Sequence, residues 1–314
     1  MDISYEEWLP ASDGLAGLIT AYWHVYGDGS KIPSSFVLPD GHVEIVFNFG
    51  DTVELSGPAY DGIQPARTVV GPLSKALRLD YRGTVNTFGI RFHPARGAGF
   101  LGKHAHALAE RIFPLAEVCA PLDKALADLA AKHPCPEAKI YRAALDQVLL
   151  DHLPSALPSD MRVVDMVDRL SNARSCPPIT EIAKDLGISS RQLQRRFLKD
   201  VGLTPKRFFR VLRFARVWQL ASMRPSEAWA ALAAEHGYAD QAHLTREFRA
   251  FGAEPPTQVF SADWYNATEL SRVAGPGQGV RSVQDTLSDR RYHRIEPQFL
   301  KMQSGADDEK DNAV

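Results

Sequence analysis

Two segments about fifty residues apart carry the same pattern, and few folds accommodate it. In the first, Ile182, Ala183 and Leu186 form the apolar face of a short helix, with Thr180 expected as its cap. Gly187 follows where the chain must turn with positive φ. Ser189 then opens a second helix, and Gln192, three residues on, completes a capping box. Leu193 and Phe197, one turn apart, pack that helix onto the first. In the second segment Ala233, Ala234, Gly237, Leu244 and Phe248 repeat Ile182, Ala183, Gly187, Leu193 and Phe197. Each ends in glycine and then proline, Gly202 to Pro205 and Gly252 to Pro255. The pattern predicts two helix-turn-helix units.

The outward positions of the two second helices differ from the inward ones in chemistry. Ser190, Arg191, Gln194 and Arg195 are left on the outer side of the first, near its N-terminal end, where a recognition helix reaches base edges in the major groove of double-stranded DNA. Arg suits the paired acceptors of guanine, and Gln pairs with adenine. The corresponding positions of the second are Asp240, Gln241, His243, Thr245 and Arg246. Between the units, Thr204 and Pro205 are favourable at a helix start. A helix from Pro205 to about Met223 then spans about 28 Å at 1.5 Å per residue. Phe208, Val211, Leu212, Ala215 and Trp218 form its expected stripe. Arg210, Arg213 and Arg216 lie on the rest, with Lys206 and Arg207 the expected phosphate contacts.

Charge is distributed to match. Residues 160–262 hold 16 Lys+Arg against 11 Asp+Glu, a net of +5, whereas the whole chain is at −2, so the remainder is at −7. A basic block in an acidic chain marks a localised polyanion-binding surface.

At these residues the sequence resembles a known family. Ile182-Ala183, Leu186-Gly187-Ile188-Ser189, Leu193-Gln194-Arg195-Arg196-Phe197, Gly202, Thr204-Pro205, Gly237-Tyr238 and Asp240 through Phe248 are similar to the DNA-binding domain of the AraC/XylS transcription regulators. The resemblance implies seven helices in two subdomains, base reading by the first recognition helix, and base or phosphate contact by the second. It also implies activation of transcription with RNA polymerase as partner. One departure stands out: Phe248 to Gly252 is one residue shorter than Phe197 to Gly202, so the second recognition helix is expected to end differently.

The N-terminal half follows another rule. In His42–Phe49, residues Val43, Ile45, Phe47 and Phe49 alternate as in a half-buried strand. Gly71–Leu79 and Val85–Phe92 are further strand candidates, and the pattern turns helical from about Ala107 to Leu153, where Leu122, Leu126 and Leu129 form one face and Ala144, Val148 and Asp151 another. Pro154 and Pro158 mark a linker. The expected fold class is therefore α+β: a β-rich, cupin-like N-terminal domain (1–153), a linker (154–159), an all-α tandem helix-turn-helix domain (160–262) and a polar, disordered tail (263–314). Leu38 through Phe49 and Gly89 through Gly102 resemble an uncharacterised domain found in some of these regulators. By analogy it holds a small-molecule effector, and a homodimer is compatible with it. Arg91, His93 and His42 are the candidate effector residues, and Arg91 equally suits pairing with Asp40 or Glu44.

Other chemistries find less support. His42, Glu44, His93, His104 and His106 offer metal-ligand types, but His42 and Glu44 sit two apart on the polar side of a strand, where a rim role suffices. Gly97–Gly102 fits GxGxxG without a surrounding βαβ unit. Cys119, Cys135 and Cys176 form no CxxC pair, as expected in a reducing compartment. No nucleophile–base set stands out, so the expectation is a non-enzyme without cofactor, cytoplasmic and not membrane-bound. The alternative is a metal-binding cupin-like enzyme, or an alkyltransferase acting through Cys135, with an accessory DNA-binding part.

Overall fold

The protein is described from a computed structural model, which places residues 4–31, 35–133, 138–223 and 229–252. The expected tail, 263–314, lies outside the described residues, as do the last ten residues of the expected DNA-binding domain and Cys135.

One strand explains the layering of the N-terminal half. β9 (Thr84–Phe92) is buried on both faces from Thr87 onward, which requires cover on each side. Phe88, Ile90 and Phe92 point one way, into a core with Ile45, Phe47 and Tyr22. Val85, Thr87 and Arg91 point the other way. β9 is central in a six-stranded antiparallel sheet, flanked by β2 (Ile19–Asp28) and β4 (Glu44–Asn48). β1 (Ser4–Trp8) adds one edge; β7 (Arg67–Val70) and β10 (Ile112–Pro114) add the other. The second sheet runs β3 (Ser35–Val37), β8 (Leu77–Tyr81), β5 (Val53–Gly57), β6 (Tyr60–Ile63). Both are antiparallel, as the β-rich reading requires.

Gly71–Leu79 is not one strand. β7 stops at Val70 and β8 starts at Leu77, with a loop between them that carries the chain from one sheet to the other. The Gly71-Pro72 step ends the ladder because proline donates no hydrogen bond, and a Cβ on Gly71 would overlap the Leu108 carbonyl.

Short helices α1 (Gly97–Phe100), α2 (Ala105–Leu108) and α3 (Leu115–Val118) lead into α4 (Ala120–Lys132) and α5 (Ala138–His152), which cover the first sheet. Leu122, Leu126 and Leu129 are buried as expected. On α5 the buried face is Tyr141, Leu145 and Leu149 rather than Ala144, Val148 and Asp151. The stripe is rotated because Asp146 turns inward, where Tyr22 donates to its Oδ1 at 2.7 Å and the Ala11 and Ser12 amides to its Oδ2. The expected linker is tied down, since the Leu157 amide donates to the Gly99 carbonyl at 2.8 Å.

The helical region comprises α6 (Met161–Asn172), α7 (Ile179–Asp185), α8 (Ser190–Val201), α9 (Pro205–Met223), α10 (Trp229–Glu235) and α11 (Gln241–Ala250). Ser189 and Gln192 form the capping box at α8, and Gly202 ends that helix at φ 79°. Gly187 and Gly237 turn at φ 67° and 71° between the paired helices. The cap of α7 is Pro178, not Thr180, which falls inside the first turn. On α9 the buried set is wider than one stripe, because Phe209, Phe214 and Val217 are inside as well.

Candidate DNA-binding face and effector cavity

The basic residues of the helical region fall into two groups by what they touch. Arg210 and Arg213 converge on the buried Glu247, with Arg210 Nη2 2.6 Å from Oε1 and Arg213 Nη2 3.5 Å from Oε2. Arg216 donates to the Ala173 and Ser171 carbonyls, and Arg196 pairs with Asp160 at 2.6 Å. These four bind the bundle together, and Glu247 is a core residue rather than a negative charge on the outer face. Arg191, Gln194 and Arg195 stand exposed on α8, with Ser190 half-buried beside them. None of the first three has a hydrogen-bond or ion-pair partner among the described residues. The capping box fixes the start of this helix, so these side chains project from a rigid N-terminal turn.

On α11 the expected set divides. Gln241 and Arg246 are exposed and point outward. Asp240 is the N-cap, its Oδ1 accepting from the His243 amide at 2.6 Å. His243 accepts from the Ala239 amide at 3.3 Å and lies against Tyr238. Thr245 donates to the Gln241 carbonyl at 2.9 Å. Asp240, His243 and Thr245 therefore already serve the helix itself. As the shorter spacing suggested, α11 ends differently: its C-cap is Phe251, while α8 is capped by Gly202 directly.

Lys206 is exposed. Arg207 reaches the β-rich part instead, donating to Ser74 Oγ while its Nη2 stands 3.3 Å from Glu110 Oε1. The Ala76 amide, in the same β7–β8 loop, donates to the Phe251 carbonyl at 2.6 Å. Gly41 lies against the Phe208 ring, where a Cβ would come within 2.7 Å of Cε2. With Gly202 at the end of α8 also set against the Ala105 carbonyl, the N-terminal part touches both helix-turn-helix units and the helix between them.

Between the two sheets is a cavity of about 120 Å³. Its walls are mostly apolar, with Val25, Val46, Leu55, Val70, Leu73 and Leu77 among them, and its polar side carries Asp40, His42, Glu44, Thr87 and Arg91. Arg91 and Glu44 face each other directly across β9 and β4, and their side chains meet at 2.7 Å. Glu7 and Asp40 stand 3.5 and 3.6 Å from the same guanidinium, so the pairing expected for Arg91 is present. Burial alone would lower the Arg91 pKa, but Glu44 and its neighbours hold it well above the usual value. Burial and the nearby Asp40 push Glu44 up, with Arg91 opposing. Burial would also raise Asp40, yet His42, 3.1 Å away, together with Arg91 keeps it well below the carboxylate range.

His42 lines this cavity and His93 does not. β9 ends at Phe92, and His93 Nε2 lies 3.3 Å from Asp168 Oδ1 on α6. His104 and His106 stack on each other at 5.8 Å. Among the described residues, no three His, Cys, Asp or Glu side chains are grouped to hold a metal ion. Sequence reasoning missed Tyr5, Trp23 and Thr87 in the cavity wall and Glu7 beside Arg91. The signal available was the Val85-Thr87-Gly89-Arg91 face of β9, where a threonine and an arginine interrupt an otherwise apolar face.

Residues 182–262 match the family model of a helix-turn-helix domain. The C-terminal region is an AraC-type helix-turn-helix domain. Ahead of it, residues 7–114 match a domain of unknown function, DUF6597. No curated protein matches the sequence. Among solved structures, an apo variant of ToxT from Vibrio cholerae aligns with a TM-score of 0.44 at 10% identity, covering 76% of this chain and 96% of that one. ToxT of the same organism bound to an unsaturated fatty acid aligns with a TM-score of 0.42 at 9% identity, covering 82% and 94%. The match supports DNA binding by the C-terminal region. No helix of the described residues is long and apolar enough to cross a membrane.

Proposed function

We propose that the chain is an effector-responsive activator that reads a specific DNA sequence through α8, assisted by α11, and acts with RNA polymerase. The observation that carries the reading is the sorting of the arginines. Those inside the bundle are paired, whereas Arg191 and Arg195 project from a capped helix start with no partner among the described residues. Unpaired cations on a rigid helix beside a glutamine suit guanine and adenine edges together with nearby phosphates. On α11 the contribution falls to Gln241 and Arg246, with Lys206 and a released Arg207 on the backbone.

In this proposal residues 1–153 form the sensing domain, 154–159 the joint and 160–262 the DNA-binding domain. Arg91 and His42 belong to the effector site. His93 is assigned to the contact between domains, on the strength of its approach to Asp168. The loop between β7 and β8 supports coupling, because Leu73 lines the cavity while Ser74 and Ala76 bond to the helical region.

The test is selection of binding sites from random duplexes with the full chain, repeated with Arg195→Ala. A recovered motif that loses definition at one or two positions in the variant is the expected result. Recovery of no motif by the wild-type chain would overturn the reading.

A further inference from the structure

The proposed effector site has a charge that selects its ligand. Three carboxylates, Glu44, Glu7 and Asp40, stand within 3.6 Å of the single Arg91 guanidinium. With the three carboxylates ionised, the group is net negative whether or not His42 is charged. A ligand carboxylate approaching Arg91 would enter beside three charges of its own sign, with little water to screen them. Arg91 is ion-paired with all three, and its Nη1, 3.5 Å from Glu7, makes no hydrogen bond among the described residues.

A cation meets the reverse situation. Thr87 lines the cavity and is 7% exposed, and its Oγ1 has no hydrogen-bond partner. It is a buried hydroxyl, able to accept as well as donate, whose desolvation is uncompensated, and it is independent of the acidic group. Trp23 and Tyr5 add aromatic faces to the same walls, which attract an ammonium group further. The indole Nε1–H of Trp23 is 3.3 Å from Glu44 Oε1, so ring and carboxylate are held together. Size narrows the ligand again. The cavity, at about 120 Å³, is somewhat smaller than the void of about 150 Å³ that holds benzene, so one ring is the upper limit for the apolar body.

We propose that the cavity binds a small primary amine on an apolar body of about one ring, its ammonium held by Glu44, Asp40 and Thr87. This rests on the reading of the cavity as the effector site, and the experiment separates the two. Full-chain protein is titrated calorimetrically with benzylamine, benzyl alcohol and benzoate, in wild type, in Thr87→Val and in the cavity-filling Leu73→Phe. Glu44→Gln is a further variant, but it removes a buried partner of Arg91 and can fail to fold. Thr87→Val keeps the shape and loses only an unpaired hydroxyl, so it should fold. The expected result is benzylamine binding at least tenfold tighter than benzoate, weakened about fivefold by Thr87→Val and abolished by Leu73→Phe. Benzoate or benzyl alcohol binding more tightly than benzylamine, with the same loss in Leu73→Phe, would overturn the amine assignment and keep the site. Absence of binding by all three, or binding indifferent to Leu73→Phe, would overturn the site and the amine assignment with it.

Discussion

Replacing Glu110 by glutamine asks whether the β-rich part withholds a phosphate contact from DNA. Arg207 Nη2 lies 3.3 Å from Glu110 Oε1, with the two side chains 48% and 40% exposed. Ser74 stands between them, accepting from Arg207 and donating to Glu110. A pair this exposed is worth about 0–1 kcal/mol, so Glu110→Gln should change unfolding stability by less than about 1 kcal/mol. DNA binding should change in a different coordinate. Each phosphate neutralised adds about 0.9 to the slope of log affinity against log salt. Freed from Glu110, Arg207 should steepen that slope by about one phosphate, and the double variant Glu110→Gln/Arg207→Ala should return it to the wild-type value. Arg207→Ala alone should leave the slope unchanged, because its guanidinium is already engaged. Fluorescence anisotropy of a labelled cognate duplex, between about 50 and 200 mM salt, measures all four proteins. Identical slopes for wild type and Glu110→Gln would refute the reasoning. So would a flatter slope for Arg207→Ala alone, since Arg207 would then reach phosphate with the β-rich part in place.

The other expectations concern the parts separately. Gln194→Ala and Arg195→Ala should each weaken cognate-site binding by about 1–3 kcal/mol; with both residues exposed, thermal stability should stay the same, and a loss of stability instead would place them in the core. Glu247→Ala removes the shared partner of Arg210 and Arg213 and should cost about 1–3 kcal/mol in urea unfolding, a figure that an unchanged stability would contradict. Gly89→Ala sets a Cβ into the Trp23 indole, so it should destabilise by about 1–3 kcal/mol and shift the tryptophan fluorescence; an unchanged spectrum would mean the ring is not held where it lies. Ser189→Ala removes the cap of α8 and should cost about 0.5–2 kcal/mol by denaturant titration, with no loss at all counting against a fixed helix start.

Legibility followed the range of the interactions. The capping box at Ser189 and Gln192 and the glycine turns at Gly187 and Gly237 are local, and residue type at fixed spacing is enough to read them. The stripe of α5 is not local. Asp146 faces inward because Tyr22 and the 11–12 amides wait for it across the fold, so a periodicity count that sends aspartate outward rotates the helix. The basic face of α9 misleads for the same reason. Arg210, Arg213 and Arg216 share a helix with Lys206, and only Glu247 and two carbonyls from other elements show that their charges are used inside the bundle. The connecting helix is also more than a spacer, because Phe214 and Trp218 both pack against Phe248 of the second unit. A one-residue insertion after Arg216 would therefore turn Trp218 out of phase with Phe214 and break that core.

Coupling between cavity and DNA-binding face needs little energy in this arrangement. The β7–β8 loop meets the helical region through the Ser74–Arg207 bond and the Ala76–Phe251 bond. A hydrogen bond is worth about 0.5–1.5 kcal/mol net, so releasing both costs about 1–3 kcal/mol. A ligand that binds the released state about 5- to 150-fold more tightly supplies that much. Leu73 stands next to Ser74 in sequence and forms part of the cavity wall, so a ligand that pushes Leu73 aside acts on both bonds through one short segment. Only a ligand with different affinity for the two loop positions can shift the balance. Leu73 is therefore the residue at which effector binding and release of Arg207 should be inseparable: Leu73→Ala should let the ligand bind while weakening its effect on DNA affinity.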